Sequence, residues 1–182
     1  MLLLLDGTAS AAQLFGKVVA VGDGDTLTVV EESNQQHKIR LAGIDAPERR
    51  QAYGDRSKQH LSSLTYGKTV LVFWEKRDRY RRIVGRVYAR ECKFMTCRYS
   101  VDVGLEQIKA GLAWHYKQYE KEQAYDERLR YAALEQQARA RREGLWQESE
   151  PQPPWEFRHQ STNRHAAVLI GIEPSGFQRL PE

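Results

Sequence analysis

Arg40-Leu41-Ala42-Gly43-Ile44-Asp45-Ala46-Pro47-Glu48 decides how this 182-residue chain is read. The stretch ends an alternating, β-branched run, Gln36–Ile44, that has the pattern of a strand. Pro47 has no N–H to offer a neighbouring strand, so the chain must leave the sheet there. That exit leaves backbone carbonyls uncovered beside the Asp45 carboxylate. Upstream, the runs Phe15–Val21 and Thr26–Glu32 meet at Gly22-Asp23-Gly24-Asp25, a tight-turn sequence. Downstream, Thr69–Lys76 and Ile83–Arg90 read as two further strands. Three strands and then two, around a helix, predict an α+β chain: a five-stranded OB-fold Greek-key barrel with about three helices.

The helix between the strand groups spans 54–64, with Ser57, Leu61 and Leu64 on one face and a stop near Gly67. Val103–Ala110 is a short helix stopped by Gly111. Gln123–Arg142 is the longest, with a stripe of Tyr125, Leu129, Ala132 and Gln136 and Gly144 as its stop. Leu145-Trp146 is expected to fold back onto the core. Residues 13–158 thus form one domain, including an arm, Trp155–Arg158, that follows Pro151-Gln152-Pro153-Pro154 and lies on the surface. Residues 159–182 are a polar tail, interrupted by the apolar Ala166–Ile172.

A composition of 41% hydrophobic and 29% charged residues excludes global disorder. The net charge of +4 is too small to name a partner, and its distribution is more telling. Lys76, Arg77, Arg79, Arg81, Arg82, Arg86 and Arg90 crowd one strand-turn-strand segment, with Asp78 the single acid among them. Alone, such a run is a solvated face. Residues 1–12, with four leucines after Met1 and a small-residue step near Ala12, read as the remnant of an export signal, which predicts a secreted or periplasmic protein. No apolar stretch has membrane-spanning length, so a soluble monomer is expected. Cys92 and Cys97 staple a hairpin or loop in an oxidising compartment and stay reduced in the cytosol.

Asp25 at a strand start, and Asp45 with the Ala46 carbonyl at a strand end, form a partial oxygen shell suited to a hard cation such as Ca²⁺. Glu48, beyond the proline turn, is placed to hold a water or accept its proton. Arg40 offers a permanently charged fork for phosphate, yet its odd separation from Asp45 puts the two on opposite faces of an ideal strand. A bulge, strong twist or barrel curvature is then required. A second arginine is expected from the basic strand, where composition does not choose among Arg81, Arg82 and Arg86. Tyr80 stacks, hydrogen-bonds or simply packs at the same mouth. Acids for a cation beside arginines for an anion point to metal-assisted phosphodiester hydrolysis. The rival readings are a non-catalytic OB-fold module that binds nucleic acid or protein, and a structural calcium-binding domain.

In these pieces the chain resembles the staphylococcal nuclease (thermonuclease) family from about Gly16 to Trp146. The resemblance rests on Asp23-Gly-Asp25-Thr, Arg40 to Glu48, Asp78-Arg-Tyr80-Arg-Arg82, Ala110-Gly-Leu-Ala-Trp114 and Gly144-Leu-Trp146. It implies calcium-dependent cleavage of DNA and RNA that leaves 3′-phosphate ends. It also implies that Asp25, Asp45 and the Ala46 carbonyl bind calcium, that Glu48 positions water, that Arg40 and Arg82 bind phosphate, and that Tyr80 contacts substrate. The chain departs from the pattern at Arg81, where the staphylococcal enzyme has glycine, and at Ala46, which replaces threonine. The Cys92–Cys97 segment reads as added hairpin length. The proline-rich arm and the tail after Arg158 fall outside the resemblance.

Overall fold

The computed structural model describes residues 11–93 and 96–160. Most of the expected signal remnant and the apolar Ala166–Ile172 lie outside them. Eight strands are present: β1 (Ala12–Val21), β2 (Thr26–Val30), β3 (Gln36–Leu41), β4 (Ile44–Asp45), β5 (Thr69–Arg77), β6 (Ile83–Lys93), β7 (Thr96–Asp102) and β8 (Trp114–His115). Among the described residues, three α-helices join them, besides a helical stretch at 154–160: α1 (Gly54–Thr65), α2 (Val103–Lys109) and α3 (Tyr125–Ala140). Short 3₁₀ turns cover Lys117–Glu122 and Gly144–Gln147.

The barrel is the expected one. β1 pairs antiparallel with β2 and β5, β2 with β3, and β5 with β6, and a parallel β3–β6 ladder closes the ring. Along β1 the alternation drives Leu14, Gly16 and Val18 inward. They meet Leu27, Ile39 and Val70 inside, and α1 caps this core with Leu61. Each of these apolar side chains contributes a few kcal/mol by leaving water.

Three differences from the sequence reading have physical causes. First, Gln36–Ile44 is not one strand. Gly43 takes φ +73, the chain turns at Ala42–Gly43, and Ile44-Asp45 pairs separately with β8. Second, β6 runs on to Lys93 and returns as β7, with Cys92 directly opposite Cys97 and disulfide-bonded to it. Third, the buried face of α3 carries Glu127, Tyr131, Glu135 and Ala138, while Tyr125 and Leu129 are exposed. Apolar periodicity misled there because the inward acids have partners. Glu127 takes Arg86 at 3.0 Å, and Glu135 accepts the His115 backbone N–H at 3.1 Å. The arm is helical at 154–160 and lies on the domain, with Trp155 against Trp114 and Tyr116.

Gly43 is therefore the joint between the barrel and the acid-bearing loop. A Cβ there would meet the Gln123 side chain and a left-handed backbone. Gly43→Ala is expected to lower stability by about 1–2 kcal/mol, measured as a shift in the urea midpoint at unchanged slope.

Candidate active site

Asp25 immediately precedes β2, and its neighbour Thr26 is paired with Arg40 across the β2–β3 ladder. This register sets acid and guanidinium side by side. Arg40 Nη1 lies 2.7 Å from Asp25 Oδ2, and Nη2 lies 2.8 Å from Asp45 Oδ1. The same Nη1 donates to the Ile44 carbonyl at 3.3 Å. The turn at Gly43 thus removes the parity obstacle, because Asp45 has left the line of β3 and folded back toward Arg40. Asp25 Oδ2 also accepts the Ala46 N–H at 3.0 Å, and Oδ1 accepts from Thr26 Oγ1 at 3.0 Å. Asp25 and Asp45 are 6% and 0% exposed, so these bonds replace water almost completely.

The Asp25 loop is held from behind. Gln107, fully buried on α2, donates through Nε2 to the Gly24 carbonyl at 2.6 Å and to the Ser57 carbonyl at 3.1 Å. A Cβ at Gly24 would fall 1.9 Å from Ser57 Oγ. No side chain fits between the loop and α1.

Arg82 closes the other flank. Its Nε donates to Asp78 Oδ2 at 2.7 Å and its Nη1 to Thr26 Oγ1 at 3.3 Å. Asp78 Oδ1 also accepts the Tyr80 and Arg82 backbone N–H groups, both at 2.9 Å. Burial is the largest single influence and would raise the Asp78 carboxyl, but the hydrogen bonds and charge of Arg82, with the Tyr80 N–H, together outweigh it and hold the group below the usual carboxylate range. Arg86 is committed to Glu127 and Arg81 is exposed, so geometry selects Arg82 from the basic run. Arg81 has φ +65, a left-handed conformation that favours glycine. Tyr80 is 64% exposed and lies under the Arg79 and Arg82 guanidinium groups at the rim.

Glu48 projects from the loop after Pro47, its backbone N–H donating to Gln51 Oε1 at 3.1 Å. Its carboxylate is held by a residue the sequence did not single out, Arg158 of the arm. Arg158 Nη1 donates to Glu48 Oε1 at 2.8 Å and to Asp45 Oδ1 at 3.2 Å, and Nη2 donates to Asp45 Oδ2 at 2.8 Å. Asp23, Thr26 and Asp78 lay in the motifs quoted from the sequence but were given no role there. Gln107 was missed, because its contacts reach across remote segments.

The electrostatics follow from burial among opposite charges. Burial pushes Asp45 up, against hydrogen bonds from Arg158 and the charge of Arg40. Burial would lower Arg40, but Asp25 and Asp45 outweigh it and hold the guanidinium firmly protonated. For Asp23, burial and then the Asp25 charge push the carboxyl up to about 6.

Among the described residues no group of three or more His, Cys, Asp or Glu side chains is gathered to hold a metal ion. Guanidinium groups stand among the acids instead. Asp25 and Asp45 do supply buried carboxylate oxygens of the kind a hard cation takes, with Arg40 between them in this structure. The structure brings Asp25, Arg40, Asp45, Ala46, Glu48 and Arg82 into one connected cluster, with Tyr80 at its edge.

A family described as Staphylococcal nuclease homologue matches residues 38–148. An uncharacterized endonuclease of Escherichia coli is 40% identical over 148 residues, which are 81% of this chain and 87% of that protein. An uncharacterized endonuclease of Haemophilus influenzae is 38% identical over 144 residues, covering 79% and 72%. A micrococcal nuclease of Shigella flexneri is 37% identical over 155 residues, covering 84% of each chain.

Arg40→Ala would leave Asp25 and Asp45 facing each other without the cation between them. The expected loss of stability is about 3 kcal/mol or more, partly recovered in Arg40→Lys, as read from urea unfolding of the three proteins.

Proposed function

Because the chain belongs to the staphylococcal nuclease family, we propose that it is a calcium-dependent nuclease that hydrolyses phosphodiester bonds of DNA and RNA with little sequence preference. The observation that carries this reading is the contact of both Arg40 and Arg82 with the Asp25–Thr26 pair. A binding module has no need of two buried carboxylates beside a pair of arginines. The described residues include no helix long and apolar enough to cross a membrane.

Asp25, Asp45 and the Ala46 carbonyl would hold the cation. When bound, calcium supplies positive charge to the phosphoryl oxygens. Arg40 and Arg82 donate N–H groups to those same oxygens, which gain negative charge as the reaction proceeds. Asp78 keeps the Arg82 fork aimed at the site through its Nε. Glu48 orients the attacking water and takes its proton. Water oxygen adds to phosphorus, the P–O5′ bond breaks, and the departing O5′ takes a proton from solvent water. The phosphate then stays on the 3′ oxygen, which leaves a 3′-phosphate and a 5′-hydroxyl end. Lys76, Arg77 and Arg79 extend the cationic surface along the strand-turn segment, which attracts the polymer backbone without reading its bases.

Names of relatives such as endonuclease and micrococcal nuclease support cleavage within a strand. Every residue used comes from one chain, so a monomer suffices. The disulfide between Cys92 and Cys97 supports export to an oxidising compartment, whether the periplasm or the exterior.

Plasmid DNA and a single-stranded RNA should both disappear when incubated with the protein and calcium, and survive with a chelator. Arg82→Ala should cut the rate by about 10²-fold or more, with stability close to the parent. An electrophoretic shift without cleavage would instead support the non-catalytic module, and full activity in Arg82→Ala would remove that arginine from the mechanism.

A further inference from the structure

Arg158 stands out among the charged residues of the site. Arg40 is built into β3 with its side chain 15% exposed, and it bridges two acids that the barrel itself positions. Arg158 arrives on the arm, 113 residues after Asp45, with its side chain 40% exposed. Its fork grips both oxygens of Asp45 and one of Glu48. A carboxylate offers about four lone-pair directions in all. Asp45 already spends one on Arg40, and Arg158 takes one on each oxygen.

We propose that the Arg158 guanidinium and a divalent cation compete for Asp45 and Glu48, so that docking of the 154–160 arm and cation binding exclude one another. The inference rests on the proposed use of Asp45 and Glu48 in metal-dependent cleavage. A divalent cation beside a fixed guanidinium would suffer direct repulsion, and both need the same oxygens. Of the two arginines on Asp45, Arg40 is fixed within a barrel strand, whereas Arg158 comes from the arm and is the more exposed. Its arm is held by Trp155, edge-on to Trp114 at 5.5 Å and stacked on Tyr116 at 5.7 Å, and by the Gln152 carbonyl, which accepts from Gln51 Nε2. Departure of the arm would also free the Glu48 oxygen that is to receive the proton from water. Docking therefore suppresses cation binding and catalysis through one side chain.

The test is calorimetric titration of calcium into the parent, Arg158→Gln and Trp155→Ala. Trp155→Ala weakens the arm without touching the acids. Removing the competitor should tighten apparent calcium binding roughly tenfold, because affinity is reduced by the fraction of molecules in which the site is blocked. Trp155→Ala should move the constant in the same direction, which keeps the proposal testable if Arg158→Gln fails to fold. Equal affinity in parent and Arg158→Gln would overturn the competition while leaving the calcium reading intact. Weaker binding in Arg158→Gln would show that Arg158 organises Asp45 for the cation, and would also overturn it. Absence of binding in all three proteins would overturn the calcium assignment and this inference together.

Discussion

One guanidinium, that of Arg40, holds the molecule's central contradiction in balance. Two carboxylates almost sealed from water are brought next to each other, an arrangement that by itself would drive them apart or force one to take up a proton. Arg40 spans both, and a backbone carbonyl takes part of its remaining capacity. The rest of the fold serves to fix the three groups. The β2–β3 register supplies Arg40 opposite Thr26, the turn at Gly43 returns Asp45, and the Ala46 N–H ties the two loops through Asp25. A buried charge stays ionised only when its partners are close and well aimed. This demand explains why rigid elements surround the cluster.

The supporting layer shows the same economy of parts. Gln107 reaches from α2 to the carbonyl of Gly24 and to Ser57 on α1, so one amide joins two helices to the Asp25 loop. Asp78 uses one carboxylate to shape its own turn and to hold Arg82. Neither group belongs to the apolar core. Both convert barrel geometry into the orientation of a charged side chain several ångströms away.

Much of this was legible in the sequence, and the losses have identifiable causes. The barrel strands announced themselves by alternation, and the helix-stop glycines Gly67, Gly111 and Gly144 lay where left-handed backbone was needed. Asp25, Arg40, Asp45 and Glu48 were found because strand ends and a proline confine what their side chains can do. The obstacle at Arg40 and Asp45 came from treating Gln36–Ile44 as unbroken, although Gly43 sits inside it. The α3 face was misassigned because Glu127 and Glu135 are inward acids whose partners, Arg86 and the His115 backbone, come from remote segments. Arg158 was invisible for the same reason. Its significance lies in a contact across more than a hundred residues, and no local pattern encodes that.

The bond between Cys92 and Cys97 sits where β6 and β7 project beyond the closed ring. It spans a sequence separation of 5, so the chain entropy it removes amounts to only about 2 kcal/mol. Ring closure depends instead on the β3–β6 ladder, which needs no crosslink. A reductant would accordingly loosen the hairpin tip and leave the charged cluster as it is. The crosslink and the charged cluster are thus structurally independent parts of one chain.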